Sequence, residues 1–165
     1  MSLPFATRLG LSAAIGSLFL LGGAYYFQYV VGLAPCEMCL WQRYPHMLAI
    51  LFGLLTIPLM VEPKVALVFA LTAVAALFIT SGIGVFHVGV EQHWWAGPQA
   101  CSGNVPRGLS PDQLRKYLFG ARMVRCDETA WAMWGISMAG WNAILSGALA
   151  FVLASGVANW VRSRT

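Results

Sequence analysis

The chain has 165 residues, 59% of them hydrophobic and only 10% charged, with a mean hydropathy of +0.70. Soluble domains carry roughly 25% charged residues, and a soluble fold of this length cannot hide so much apolar surface, so lipid must act as the solvent. Ten Lys and Arg against six acids give a net charge of +4. The basic residues are scattered near the ends of apolar runs, which reads as interface anchoring and not as a nucleic-acid footprint.

A transmembrane helix needs about 20 apolar residues. The first such run, residues 9–31, contains no charge. It is too long for the apolar core of a cleaved signal peptide and lacks a clear small-residue cleavage site, so it is expected to stay as a first span. A short polar break follows, holding Pro35, Cys36, Glu37, Cys39 and Arg43. The next apolar run is short. Extending it back through Leu40 and Trp41 gives a second span over residues 41–61, with Arg43 in its first turns, where a long side chain can snorkel to the interface. Glu62, Pro63 and Lys64 make a tight turn, and residues 65–90 form a third uncharged run. A polar stretch over residues 91–134 precedes the last span, residues 135–161, and Arg162 and Arg164 close the chain. The expected fold is a single all-α membrane domain over residues 1–165, a bundle of four transmembrane helices with loops at residues 32–40 and 91–134.

Four spans put both termini on one side and both loops on the other, so all four cysteines share a compartment. The basic residues do not orient the bundle. Arg8, Lys64, Arg162 and Arg164 lie on the terminal side, and Arg43, Arg107, Arg115, Lys116, Arg122 and Arg125 on the loop side. Five of those six belong to the long loop, where Ser110, Pro111 and Asp112 read as a helix start. Leu114, Leu118 and Ala121 then share a face, which suggests a short amphipathic helix on the membrane surface; such a helix collects basic residues against headgroups. A small helix packed on the loop itself is the alternative. Ser12, Gly16, Gly140, Ser146 and Gly147 are small residues suited to close helix approach. Trp94, Trp95, Trp131 and Trp134 sit near span ends, as an aromatic belt requires.

Cys36 and Cys39 form a C-x-x-C at a helix start. A helix N-terminus favours negative charge, so it raises the thiolate fraction, and the thiolate is the species that attacks disulfides. Arg43, four residues on, lies about one turn further along the same face and can stabilise a thiolate or a bound anionic group. Cys101 and Cys126 are too far apart in sequence to complete a tetrahedral zinc site of the usual pattern. They sit in a polar segment, where a disulfide between them is the simplest account, either as a structural staple or as half of a relay. Two pairs on one side can pass electrons by thiol–disulfide exchange. A pair at the bilayer edge can then reach a lipid-soluble two-electron acceptor, and a quinone fits in kind and place.

With these features the sequence resembles the DsbB family of bacterial inner-membrane disulfide-generating proteins. The resemblance covers nearly the whole chain: four spans, Pro35-Cys36 with Cys39 and then Arg43, the loop pair Cys101 and Cys126, and the surroundings of His87, Glu91, Gly97, Pro98 and Arg125. It implies that a reduced DsbA-like thioredoxin-fold partner attacks a Cys101–Cys126 disulfide through Cys101. Cys126 then exchanges with Cys36, and Cys39 is released as the thiolate that reacts with quinone (ubiquinone or menaquinone) beside Arg43. It also implies periplasmic loops and cytoplasmic termini. The family often places a histidine near the quinone; His87, at the end of a span, is preferred over His93, while His46 and His93 read as interface residues, Glu91 as a solvated loop acid and Asn142 as an interhelical bonding residue. Three rivals are a vitamin K epoxide reductase-like enzyme, which carries its C-x-x-C in the last span, a haem-binding subunit using His87, and a non-catalytic assembly protein with structural disulfides.

Overall fold

The structure, a computed structural model, describes residues 3–98, 110–113 and 124–164. Four long helices carry it: α1 (Phe5–Tyr29), α2 (Glu37–Leu55), α3 (Pro63–Glu91) and α4 (Met138–Arg162). In lipid the backbone must satisfy its own polar groups, and an uninterrupted apolar run does so as a helix. α1, α3 and α4 are long and apolar enough to cross a membrane. α2 is 19 residues long and buries Gln42, Arg43 and His46 among its inward residues.

The bundle is turned outward relative to a soluble protein. Its centre is small: Ala13, Ala49, Ala73, Ala76 and Ala150 pack with Leu77. Large apolar side chains such as Phe19, Phe151 and Val152 face out. Lipid tails are as apolar as leucine, so helices gain from close contact between small residues and not from hiding large ones. This packing makes the chain an all-α membrane protein.

The tightest crossing joins α1 to α2. A Cβ on Gly53 would stand 2.3 Å from the Gly10 carbonyl oxygen and 2.8 Å from the Ala14 Cβ. Replacing Gly53 by Ala is therefore expected to destabilise the bundle by about 1–3 kcal/mol through forced separation of the backbones. A thermal midpoint in detergent equal to that of the unmodified protein would contradict this. Of the small residues singled out from the sequence, Gly16 meets Leu149, Gly147 meets Ser81, and Gly140 meets Ile136 of its own approach segment. Ser146 is fully buried, whereas Ser12 is exposed.

Three boundaries differ from the sequence expectation. α2 stops at Leu55, not at residue 61. Pro58 disfavours helix at the residue before it, Thr56 donates to the Gly53 carbonyl at 2.6 Å, and residues Pro58–Val61 continue as a 3-10 turn into Pro63. α2 also begins at Glu37, because the Cys36 sulfur accepts the Cys39 N–H at 3.2 Å and acts as its N-cap. The last helix begins at Met138, not at residue 135, because a two-stranded hairpin precedes it: β1 (Ala132–Met133) pairs with β2 (Ile136–Ser137). Trp134 and Gly135 both have positive φ, 53° and 78°, the requirement of the two-residue turns that match strand twist. Ser137 then caps α4 by accepting from Gly140 N–H at 3.1 Å.

The helix start at Ser110 is present. Residues 111–113 are helical, Ser110 Oγ accepts from Gln113 N–H at 3.3 Å, and Gln113 Oε1 accepts from Ser110 N–H at 3.1 Å. This is a reciprocal capping box. Leu114, Leu118 and Ala121, on which the amphipathic face rests, lie outside the described residues, as does Cys101.

Candidate functional site

The site is built where α2 begins, against the C-terminal end of α3 and the segment leading to α4. Cys36 is held as the N-cap of α2 and Cys39 occupies its first turn, before the apolar run that starts at Trp41. Their sulfurs are 2.8 Å apart. From α3, His87 brings its Nε2 to 3.6 Å from Cys36 Sγ. Cys126 is disulfide-bonded and fully buried. Its sulfur, the Cys36 sulfur and a ring nitrogen of His87 lie within 4.8 Å of one another. The structure thus gathers three of the four expected cysteines. A disulfide sulfur is not a thiolate, so this trio is not a ready set of metal ligands.

The two C-x-x-C thiols differ in acidity. The hydrogen bond from the Cys36 thiol holds Cys39 below the usual thiol range; burial opposes this, and the Arg43 charge adds to it. Cys36 is pushed far up by the same hydrogen bond and by burial. The Cys36 thiol and the Arg43 charge both favour negative charge on the Cys39 sulfur.

Arg43 turns its guanidinium toward the C-terminal end of α1. It is 8% exposed, donates to Gln28 Oε1 on α1, and sets its guanidinium over the Tyr25 ring at 4.9 Å. With α2 starting at Glu37, Arg43 falls in its second turn and points across to α1.

Two cavities meet at Cys39 and Arg43. The smaller, about 50 Å³, also touches Cys36, His87 and Glu91. The larger, about 440 Å³, opens between α1, α2 and α4 and is lined by Phe19, Phe27, Trp131, Trp134, Met138 and Leu145 among others, with Gln42, His46 and Asn142 as its polar groups. An apolar cleft of a few hundred cubic ångströms with a few convergent polar groups is the usual form of a small-molecule site. His87 lines the smaller cavity, on the thiol side.

Sequence reading missed two residues here, Glu91 and His46. Glu91, expected to be a solvated loop acid, lines the smaller cavity, and one buried carboxylate oxygen has no hydrogen-bond partner among the described residues. His46, expected at the interface, is buried and bonds to Asn142 at 2.9 Å; Asn142, as expected, bonds between helices, and both residues line the larger cavity. The available signal was Gln42, Arg43 and His46 inside one short span, since polar residues at membrane depth usually mark function.

The model of the family described as Disulfide bond formation protein DsbB matches residues 6–156. The chain belongs to the DsbB family. Among DsbB-named relatives, Disulfide bond formation protein B of Polaromonas naphthalenivorans is 30% identical over 164 residues, covering 95% of this chain and 94% of its own length. The protein of that name from Stutzerimonas stutzeri is 30% identical over 159 residues, 86% of this chain and 88% of its own. An uncharacterized protein of Rickettsia prowazekii is 26% identical over 132 residues, 79% of this chain and 75% of its own. No solved structure matches the chain. Membership in the DsbB family makes this a membrane oxidoreductase of disulfide bond formation.

Proposed function

We propose that the protein reoxidises a DsbA-like thioredoxin-fold partner in the periplasm and passes the electrons to a quinone in the bacterial inner membrane. One observation carries this reading. The sulfurs of Cys126, Cys36 and Cys39 lie in series, and the last of them borders a 440 Å³ apolar cavity open between helices. In the proposed orientation both cysteine loops face the periplasm and both termini the cytoplasm.

The steps through Cys101 follow the family resemblance. A partner thiolate attacks Cys101, forms a mixed disulfide and releases Cys126 as a thiolate. Cys126 attacks the Cys36 sulfur of a Cys36–Cys39 disulfide, which forms Cys36–Cys126 and frees Cys39. The second partner thiol then displaces Cys101, so the partner leaves with its disulfide and Cys101 remains as a thiol. Cys101 attacks Cys126, which restores the loop disulfide and frees Cys36. Cys36 and Cys39 now hold the electron pair, and their own disulfide re-forms as it leaves. The quinone supplies a two-electron, two-proton acceptor, so the sum is a partner dithiol and quinone going to a partner disulfide and quinol.

The residues beside the sulfurs suit these roles. Gln42 donates through its Nε2 to the Met38 carbonyl at 3.2 Å and contacts His87 Nδ1 at 2.9 Å. The same NH₂ group must donate to Nδ1, so the proton of a neutral His87 sits on Nε2, toward Cys36. The backbone of Cys126 hydrogen-bonds the same ring. His87 thereby supports negative charge on the Cys36 sulfur as it is attacked or displaced. Arg43 does the same for Cys39 and borders the larger cavity.

Thiol trapping tests the proposal. With a reduced thioredoxin-fold protein and a short-chain ubiquinone, Cys36 and Cys39 should cycle between alkylatable and protected forms, and the cycle should stall without quinone. Cysteines that remain oxidised whatever the quinone supply would leave a structural-disulfide protein instead.

A further inference from the structure

We propose that Glu91 is a redox-linked proton site, which takes up a proton when the Cys36–Cys39 disulfide is reduced and gives it up when that disulfide re-forms; this rests on the reading of Cys36 and Cys39 as a redox pair and needs no bound acceptor. Glu91 ends α3, one helical turn beyond His87. It lines the smaller cavity together with Cys36, Cys39, Arg43 and His87. Its carboxyl is hydrogen-bonded to the Ser137 side chain. The Ser137 oxygen accepts the Gly140 N–H at the cap of α4, which leaves its hydroxyl proton for Glu91. The Glu91 charge acts on the Cys39 sulfur in opposition to that of Arg43.

Arg43 supplies the reason for a proton to move. Its guanidinium is buried, and its partners are the Gln28 amide oxygen and the Tyr25 ring, both uncharged. No carboxylate pairs with it among the described residues. A buried cation without a counter-charge costs free energy. With the Cys36–Cys39 disulfide closed, neither sulfur carries charge, and the Glu91 carboxylate is the anion that shares the cavity with Arg43 on the interior side. With the pair reduced, a Cys39 thiolate takes that part, since the Cys36 thiol bonds to it and Arg43 favours it. Two anions in one small cavity then face one buried cation, and like charges so placed do not both stay ionised. The thiolate has the Cys36 hydrogen bond, whereas one Glu91 oxygen has no hydrogen-bond partner among the described residues, so the carboxylate is the group that neutralises. The other titratable groups bordering the cavity are otherwise engaged. His87 is turned to Cys36 and Gln42, and Arg125 pairs with Glu128 and Asp127 on the exposed side. α1 and α4 bring no titratable side chain to it.

Atoms and charge balance in this exchange. A dithiol donor that reduces the pair gives up two electrons and two protons and closes its own disulfide. One proton stays on the Cys36 thiol. The other goes to Glu91, while Cys39 keeps the negative charge. The cavity's net charge is unchanged: a carboxylate and a disulfide become a carboxyl, a thiol and a thiolate. When the disulfide re-forms, the electron pair leaves together with the Cys36 and Glu91 protons, the two that a two-electron, two-proton acceptor requires. Glu91 thereby holds the second proton, which the thiols alone do not carry while Cys39 is ionised.

Infrared difference spectroscopy on the purified full-length protein reads the proton directly, without quinone turnover. Washed films are compared before and after dithiothreitol near neutral pH, and the state of Cys36 and Cys39 is followed by alkylation. If these two cysteines cannot be reduced and re-oxidised, the redox reading fails and this inference falls with it. If they cycle, reduction should bring up the C=O stretch of a protonated carboxyl, and re-oxidation with diamide should remove it. Glu91→Gln should lose that band, while Glu128→Gln, at the other acid bordering the cavity, should keep it. Arg43→Met should lose the change too, because Glu91 without the cation holds its proton in both states. Should Glu91→Gln fail to fold, Glu91→Asp decides, and the band should shift in frequency. In protein whose cysteines cycle, the inference is overturned if no carboxyl band follows reduction. A band that survives Glu91→Gln, disappears in Glu128→Gln, persists in Arg43→Met or stays unmoved in Glu91→Asp also overturns it.

Discussion

Replacing Cys39 by Ser is expected to stop quinone-linked turnover and to trap Cys36 on Cys126. Cys39 is the one sulfur shared by the thiol cluster and the larger cavity. It is also the C-x-x-C thiol whose acidity is raised, by the Cys36 hydrogen bond and by Arg43. A serine hydroxyl is close in size but is not ionised near neutral pH, so the electron pair has no carrier to the acceptor. The loss should be on the order of 10³-fold or more in quinone reduction rate. In this variant Cys36 has lost its neighbour but keeps a disulfide sulfur, that of Cys126, within 4.8 Å. It should attack that sulfur and displace Cys101 as a thiol, so a Cys36–Cys126 disulfide is expected to accumulate and to appear by mass spectrometry of non-reduced peptides. Turnover at the unmodified rate would remove Cys39 from the path, and absence of the trapped disulfide would contradict the order of the sulfurs.

The second large effect is expected at Arg43. Its guanidinium is buried between Gln28 and Tyr25 and its charge favours the Cys39 thiolate. Arg43→Met keeps an apolar stem of similar length, so a loss of function is not simply a loss of packing. Removing the positive charge takes away one of the causes that hold the Cys39 thiol low, so its midpoint moves up. The thiolate exists above that midpoint, so raising the midpoint depletes it most on the acid side. The loss should therefore be larger at pH 6 than at pH 9. At pH 7 kcat/KM for quinone should fall about ten- to a hundredfold, the scale of a charge-assisted hydrogen bond. Iodoacetamide alkylation of Cys39 against pH gives the midpoint directly. An unchanged midpoint together with an unchanged quinone KM would reduce Arg43 to a tether between α1 and α2.

Much of this was legible in one dimension because lipid writes its demands along the chain. A span must be about 20 apolar residues, so the helices α1, α3 and α4 follow from run length alone. The cysteine pairs and Arg43 stood out because polar and reactive residues are few in such a chain. The hairpin before α4 was not legible. It needs Trp134 at positive φ, a conformation that a tryptophan does not advertise, and Gly135 alone did not signal a turn. The early end of α2 was written in Pro58 but masked by the apolar residues around it.

The cysteines with which the chain began to make sense were set by sequence: their number, their pairing into a C-x-x-C and a loop pair, and their placement at the ends of spans. Sequence also determined that lipid is the solvent and that helices are the form. What only tertiary structure decided is how the helices are turned about their axes. His46 and Asn142 are 96 residues apart, and Cys36 and His87 are 51 apart. In a helix apolar on nearly every side, no stripe of the sequence declares which face is inward. The inward faces are chosen by close contacts such as Gly10 on Gly53 and by the need to satisfy Gln42, His46 and Asn142 away from water. Those contacts put Arg43 inside the bundle, His87 at the thiols and His46 on the cavity wall, because buried polar groups in a membrane must find one another.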